Sequence, residues 1–204
     1  MIDLYTSTTP NGRKISIALE EMGLPYQVHA INLQNDEQYA PDFLKISPNN
    51  KIPAIVDSDN GVSVFESGAI LTYLAEKTGQ FLPTDTPARI EVLEWLAWQT
   101  AGLGPMLGQL NHFLNVADEK LPYAIKRFSD EMIRLLGVLD KQLAKHENVA
   151  GDYSIADMAI YPWSSAAYDG AKALIGTSFK NLETWHETMA ARPAVQAGMA
   201  VPDV

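Results

Sequence analysis

The sequence predicts an α+β domain built on a four-stranded mixed sheet, followed by an all-helical domain. Three observations carry this. The chain has 204 residues, room for one large domain or two small ones at roughly 100–200 residues each. Over residues 1–80 the hydrophobic period switches repeatedly between that of a strand and that of a helix. Then Phe81-Leu82-Pro83-Thr84-Asp85-Thr86-Pro87 reads as a linker, and beyond it the strand signals stop.

Each element has a local reason. Residues 2–5 form a short apolar run suited to a buried strand. Thr9-Pro10-Asn11-Gly12 starts a helix, with Thr9 placed to cap and Pro10 at the first helical position. Ile15, Ala18, Leu19 and Met22 make its apolar stripe, and Gly23 with Pro25 stops it. Residues 26–31 alternate as a half-buried strand would, and a short helical piece falls around 41–44. Ile52-Pro53-Ala54-Ile55-Val56 reads as a strand begun by proline, which costs no ladder bond there. Ser58-Asp59-Asn60-Gly61 predicts a tight hairpin in which Asn60-Gly61 supplies the positive φ values, with residues 62–65 returning. Ser67 is expected to cap a helix that carries Ile70, Leu71 and Leu74 and ends at Gly79. A right-handed βαβ unit, a hairpin and a closing helix then give the mixed sheet.

The second half reads as a helix over about 88–117, bent near Gly104-Pro105, and another from Pro122 to about Lys145. Ser154-Ile155-Ala156-Asp157 has capping-box spacing, with Asp157 as a structural cap, and opens a helix apolar almost all round; an amphipathic piece lies near 181–191. The domains are therefore expected at 1–81 and 88–204, joined by a linker at 82–87.

Composition narrows the function. Lys+Arg 15 against Asp+Glu 25 gives a net charge of −10, which opposes binding to nucleic acid or to an acidic membrane surface. With no cysteine, a disulfide scaffold, a thiolate metal site, a Cys-x-x-Cys redox centre and a thiol nucleophile are all excluded. His29, His112, His146 and His186 show no metal-ligand spacing, so no metal is expected. The uncharged stretch 95–117 contains Gly102, Gly104, Pro105, Gly108 and several amides, and does not read as a membrane span. The start of the chain shows no export signal, and a cytoplasmic location is expected.

Five strings in order complete the reading: the α+β order itself, Ser47-Pro48-Asn49-Asn50-Lys51-Ile52-Pro53-Ala54-Ile55, Phe65-Glu66-Ser67 at a helix start, the helical second half, and Tyr153-Ser154-Ile155-Ala156-Asp157 within it. Together they resemble the glutathione transferases over essentially the whole chain, which implies a thioredoxin-like first domain. Thr9-Pro10-Asn11-Gly12 and the SPNNKIPAI run look like the bacterial Nu class, whose members act as glutathione-dependent disulfide-bond oxidoreductases. The sequence departs from that pattern at Arg13 and over 148–152.

The resemblance implies a set of site residues. A cis Ile52-Pro53 bond would let the Ile52 backbone pair with a bound tripeptide as an added strand does; the residues alone suggest only a proline that starts a strand. The helix start at Ser67 offers N–H groups and a hydroxyl to a carboxylate, and the Glu66 carboxylate could hold a neighbouring ammonium, so the pair suits an amino-acid head such as the γ-glutamyl end of glutathione. Without the resemblance, Ser67 reads as a plain cap, the commonest use of serine at a helix start. Thr9 and Asn11 stand where helix polarity favours a thiolate, with Tyr5 and Ser7 as alternative activators and a structural cap as the other role for Thr9. Gln38 and Lys51 are implied for the glycyl carboxylate; Lys51 beside Asn50 reads equally as solvated surface. Arg127 reads unaided as surface charge, and the resemblance makes it a ligand for the carboxylate of a second glutathione. The expected protein is a homodimer that binds glutathione or its disulfide and reduces small disulfides. Conjugation or peroxide reduction with one glutathione, and a non-catalytic regulatory module, are the alternatives.

Overall fold

The computed structural model describes residues 1–170, 174, 176 and 178–203. They divide into two compact units, residues 1–82 with 190–204 and residues 83–189.

The first unit is built on a sheet of order β2-β1-β3-β4. Strand β1 (Ile2–Thr6) lies parallel to β2 (Tyr26–Ala30) and antiparallel to β3 (Ala54–Asp57), which pairs antiparallel with β4 (Val62–Phe65). The order is that of a βαβ unit closed by a hairpin. Ile2 and Leu4 of β1 and Ile55 of β3 are buried on one face of the two central strands, and Ala54 is buried on the other. Helix α1 (Pro10–Glu21) joins β1 to β2, α2 (Pro41–Ile46) follows two single 3-10 turns, and α3 (Ser67–Thr78) closes the unit.

Two local expectations change. In the hairpin only Gly61 takes a positive φ, 73°. With Asp57 paired to Val62 the loop has four residues, 58–61, not a two-residue turn. Asn60 serves through its side chain: Oδ1 accepts from Val62 N at 3.0 Å and Nδ2 donates to Tyr73 Oη at 2.9 Å. At the start of α3 the cap position falls to Glu66, and Ser67 is the first helical residue. Its hydroxyl is engaged by Lys14 instead.

The chain end also differs from the expected 88–204 helical domain: its last stretch belongs to the first unit. A short helix there, which we number α9 (Pro193–Met199), packs along α1. A Cβ at Gly198 would stand 2.5 Å from the Ile17 N and Cα atoms, so only glycine permits this backbone approach. Ser16 Oγ donates to Gly198 O at 2.6 Å, and Arg192 forms a two-pronged ion pair with Glu21 at 2.7 and 2.9 Å.

In the second unit the expected bent helix is α4 (Thr86–Trp98) and α5 (Gly104–Asn111), joined by the π-helical segment Gln99–Leu103 and followed by another, His112–Val116. Pro105 has no N–H to give, and the wide turn just before it absorbs the missing bond. Helix α6 (Pro122–Leu143) buries Met132, Leu135, Leu136 and Leu139 along one stripe. Helix α7 (Ile155–Gly170) is buried almost all round, and Asp157 is its structural cap: its carboxylate accepts from Val149 N and Ser154 N at 2.9 and 3.0 Å. Burial raises that carboxyl to about 6 against these bonds. Asp140 caps α8 (Lys180–Ala190) across the unit, accepting from Asn181 N at 2.9 Å. Among the described residues, no helix is long and apolar enough to cross a membrane.

The Gly198 contact is testable. Gly198→Ala should lose about 1–3 kcal/mol in urea denaturation, since the added methyl meets backbone that cannot yield. Gly102→Ala, whose Cβ meets nothing within 4 Å, should be neutral or slightly stabilising.

Candidate functional site

In the first unit the starts of two helices and the loop before β3 converge on one cleft. Its volume is about 70 Å³, and its walls include Asn11, Lys51, Ile52, Pro53, Glu66 and Ser67. Six sequence-predicted residues thus meet at one place.

The α1 corner is set by sequence. Thr9 Oγ1 accepts from Gly12 N at 3.2 Å, the cap expected of it. Gly12 has no room for a side chain, because a Cβ would lie 2.5 Å from the Ser7 carbonyl oxygen. That close approach brings the first turn of α1 against the end of β1 and leaves Asn11 at the cleft. Thr9 does not line it, though a hydroxyl that accepts one bond keeps its own proton to donate. Tyr5 is not in the wall either: its ring stacks on His29 with centroids 4.6 Å apart. Burial, with Asp3 adding, pushes its phenol up.

The β3 edge is the second wall. Ile52-Pro53 is cis. Ser47 Oγ donates to Lys51 O at 2.8 Å, which pins the loop just ahead of the strand. Lys51 is exposed at the rim.

At the third corner Glu66 holds φ 70° and ψ 118°, a region that favours glycine and costs about 1–3 kcal/mol for other residues. Asn49 Nδ2 donates to Glu66 Oε1 at 3.4 Å. Beneath lies Lys14 of α1, buried at 1% exposure, with Nζ donating to Ser67 Oγ at 3.2 Å. Burial lowers its ammonium to about 7, with the Glu66 carboxylate pulling the other way. Sequence reasoning missed Lys14, Ser47 and Asn49. For Lys14 a signal existed: it stands four residues before Ala18, on the edge of the α1 apolar stripe, where a surface lysine is out of place.

Gln38 is outside the cleft wall, and Arg127 belongs to the second unit. Gln38, on the turn Glu37–Tyr39, donates from Nε2 to Asp36 Oδ1 at 3.3 Å. Arg127 is exposed on α6 in the second unit, where it lines a groove of about 590 Å³ with Tyr123 and Glu131 among others. Among the described residues no group of His, Asp or Glu could hold a metal ion.

The cleft offers an edge for a peptide backbone, a pole for an amino-acid head and a helix start for an anion. Comparison with known proteins agrees with that character. The glutathione S-transferase N-terminal domain family matches residues 2–76. Disulfide-bond oxidoreductase YfcG of Escherichia coli (strain K12) is 50% identical over 200 residues, covering 95% of this chain and 92% of that protein. A glutathione transferase from Pseudomonas putida, solved with one glutathione disulfide bound per subunit, superposes with a TM-score of 0.95 at 44% identity, over 98% of this chain and 91% of the other. One from Burkholderia graminis, solved with two glutathione molecules per subunit, gives 0.94 at 43% identity, over 98% and 88%. The chain belongs to the glutathione S-transferase family, with its thioredoxin-like fold.

Burial of Lys14 has a measurable consequence for the unliganded protein. Its native value of about 7 lies below the ordinary 10.5, so between the two the unfolded chain binds more protons and stability rises with pH. The slope should reach about 1.4 kcal/mol per pH unit in urea denaturation, and Lys14→Met should flatten it.

Proposed function

We propose that this protein is a glutathione-dependent disulfide-bond oxidoreductase that binds glutathione or its disulfide and reduces small disulfides. One observation carries the reading: a chain with no cysteine joins a peptide edge, an amino-acid pole and a helix start in a single cleft. The sulfur chemistry therefore belongs to the ligand, and the protein supplies position and electrostatics.

In this reading the γ-glutamyl head sits at the start of α3, its carboxylate on Ser67 and its ammonium toward Glu66. The tripeptide backbone runs along Ile52 and Pro53, and the glycyl carboxylate points toward Lys51 and Gln38. The sulfur lies at the start of α1, where Asn11 and the Thr9 hydroxyl donate to the thiolate and the helix polarity favours its charge. That thiolate attacks one sulfur of the substrate disulfide; the S–S bond breaks and the departing thiolate takes a proton. A second glutathione thiolate then attacks the mixed disulfide, releasing the second thiol and leaving glutathione disulfide. Two thiols are oxidised and one disulfide is reduced. The ligands of the two solved relatives, glutathione disulfide in one and two glutathiones in the other, are the product and the reductants of that sequence. The name of the E. coli relative supports it further.

Membership of the Nu class rests on the Thr9-Pro10-Asn11-Gly12 and SPNNKIPAI strings. A homodimer follows the same resemblance, and a monomer mass in light scattering would remove it. A cytoplasmic location suits an enzyme that draws on reduced glutathione.

Asn11→Ala should lower kcat for a dithiodiethanol-type disulfide far more than it raises KM for glutathione, because the contact strengthens as charge develops on sulfur. Tyr5→Phe should be nearly silent. Arg127→Ala should depress disulfide reduction more than conjugation if it serves a second glutathione. A crippling Tyr5→Phe, or a wild-type protein that conjugates halogenated aromatics and ignores disulfides, replaces this reading with that of a conventional transferase.

Binding gives an independent check. Ser67→Ala and Glu66→Ala should each weaken glutathione in titration calorimetry by roughly 1.5–3 kcal/mol, the worth of a hydrogen bond to a charged group. Unchanged affinity in both would put the peptide elsewhere.

A further inference from the structure

Lys14 has no place in the chemistry above, yet it is a buried cation one hydrogen bond behind the cleft. Its side chain is 1% exposed, and Nζ lies 3.2 Å from Ser67 Oγ. An ammonium has donors only, so in this bond Ser67 accepts. Its oxygen is thereby occupied from behind, while its single proton remains free to point into the cleft whose wall Ser67 forms. A hydroxyl that accepts from a cation is also the stronger donor.

We propose that Lys14 is a positioning residue for the glutathione cleft: it holds the Ser67 hydroxyl as a donor to the α-carboxylate of the γ-glutamyl head, and it takes up a proton when that carboxylate binds. The inference rests on the glutathione reading above and adds to it a residue and a proton.

The charges around Lys14 support the coupling. Among the described elements, α3 and α9 pack most extensively on α1. Helix α9 carries no titratable side chain, and Arg192 at its head pairs with Glu21. Helix α3 brings Tyr73, Glu76 and Lys77, with Glu66 at its head; on α1 itself lie Arg13, Glu20 and Glu21. Among these groups the Glu66 carboxylate favours the charged form of Lys14, and burial outweighs it, leaving the ammonium at about 7. A ligand carboxylate at Ser67 adds a second negative charge on the same side and favours the protonated form. The liganded value then lies above the free one, and protons bind with the ligand. Between the two values the dissociation constant rises by up to about tenfold per pH unit, and below the free value it is flat.

The test is titration calorimetry on the full chain with S-methylglutathione, which has no thiol to ionise, in two buffers of different ionisation enthalpy between about pH 6 and about pH 8. Wild type should take up a fraction of a proton on binding and should bind more weakly toward the alkaline end. Lys14→Met should bind about tenfold to a hundredfold more weakly, with no proton uptake from this source. Lys14→Arg, always charged, should regain part of the affinity without the uptake. The α-carboxamide analogue of the same ligand should bind wild type without uptake. Wild-type binding with no proton uptake, or uptake that persists in Lys14→Met, overturns the role of Lys14 and leaves the glutathione reading standing. Failure of wild type to bind either S-methylglutathione or glutathione overturns both. The wild-type measurement decides the proton even if Lys14→Met does not fold.

Discussion

Helix α1 has almost no side that faces water. Lys14, Ile15, Ser16, Ile17, Ala18 and Leu19 are buried in one unbroken run, more than the apolar stripe of a surface helix provides. Helices α3 and α9 pack against it, and its first turn stands against the end of β1. The polar members of the run each have a partner: Ser16 bonds to Gly198 and Lys14 to Ser67. A helix held on so many flanks has little freedom to shift. It therefore fixes the two things the cleft needs from it, the position of Asn11 at its start and the cation beneath Ser67.

The cleft joins segments that are far apart in sequence, and its polar groups are local in effect. Glutathione carries more negative charge than positive, and so does this protein, at −10. Long-range attraction cannot recruit the ligand, since exposed charges fade over about 8 Å at physiological ionic strength. What remains is short-range: Lys51 at the rim, the Ser67 hydroxyl with Lys14 behind it, and the N–H groups at two helix starts. Such contacts reward a ligand with its charges in the right places more than one with a large charge, which suits a small zwitterionic peptide.

Much of the fold was legible because its signals are local. The strand at the chain start, the Thr9-Pro10 helix start, the α1 stripe stopped at Gly23, and the position of α6 all follow from spacing and caps within a few residues. The misreadings share a cause. Asn60 looked like a turn residue with positive φ, but its amide is spent on Val62 and Tyr73, the latter on another element. Ser67 looked like a cap, but Lys14, 53 positions earlier, takes its oxygen. The cis bond at Ile52-Pro53 was legible only through family resemblance, because the residues themselves favour trans. Within the site, Lys14 stayed hidden because a lysine is read as solvated until a partner for it is known.

The return of the chain end onto α1 bears on how the protein is made. Synthesis runs from the first residue onward, and an N-terminal unit ordinarily folds while the rest is still being translated. Here Ser16 waits for Gly198, 182 positions later. At about 5–20 residues per second, the sheet and α3 emerge from the ribosome well before the segment that covers one flank of α1. During that interval the flank of α1 around Ile17 lacks the cover that the segment at Gly198 later gives it.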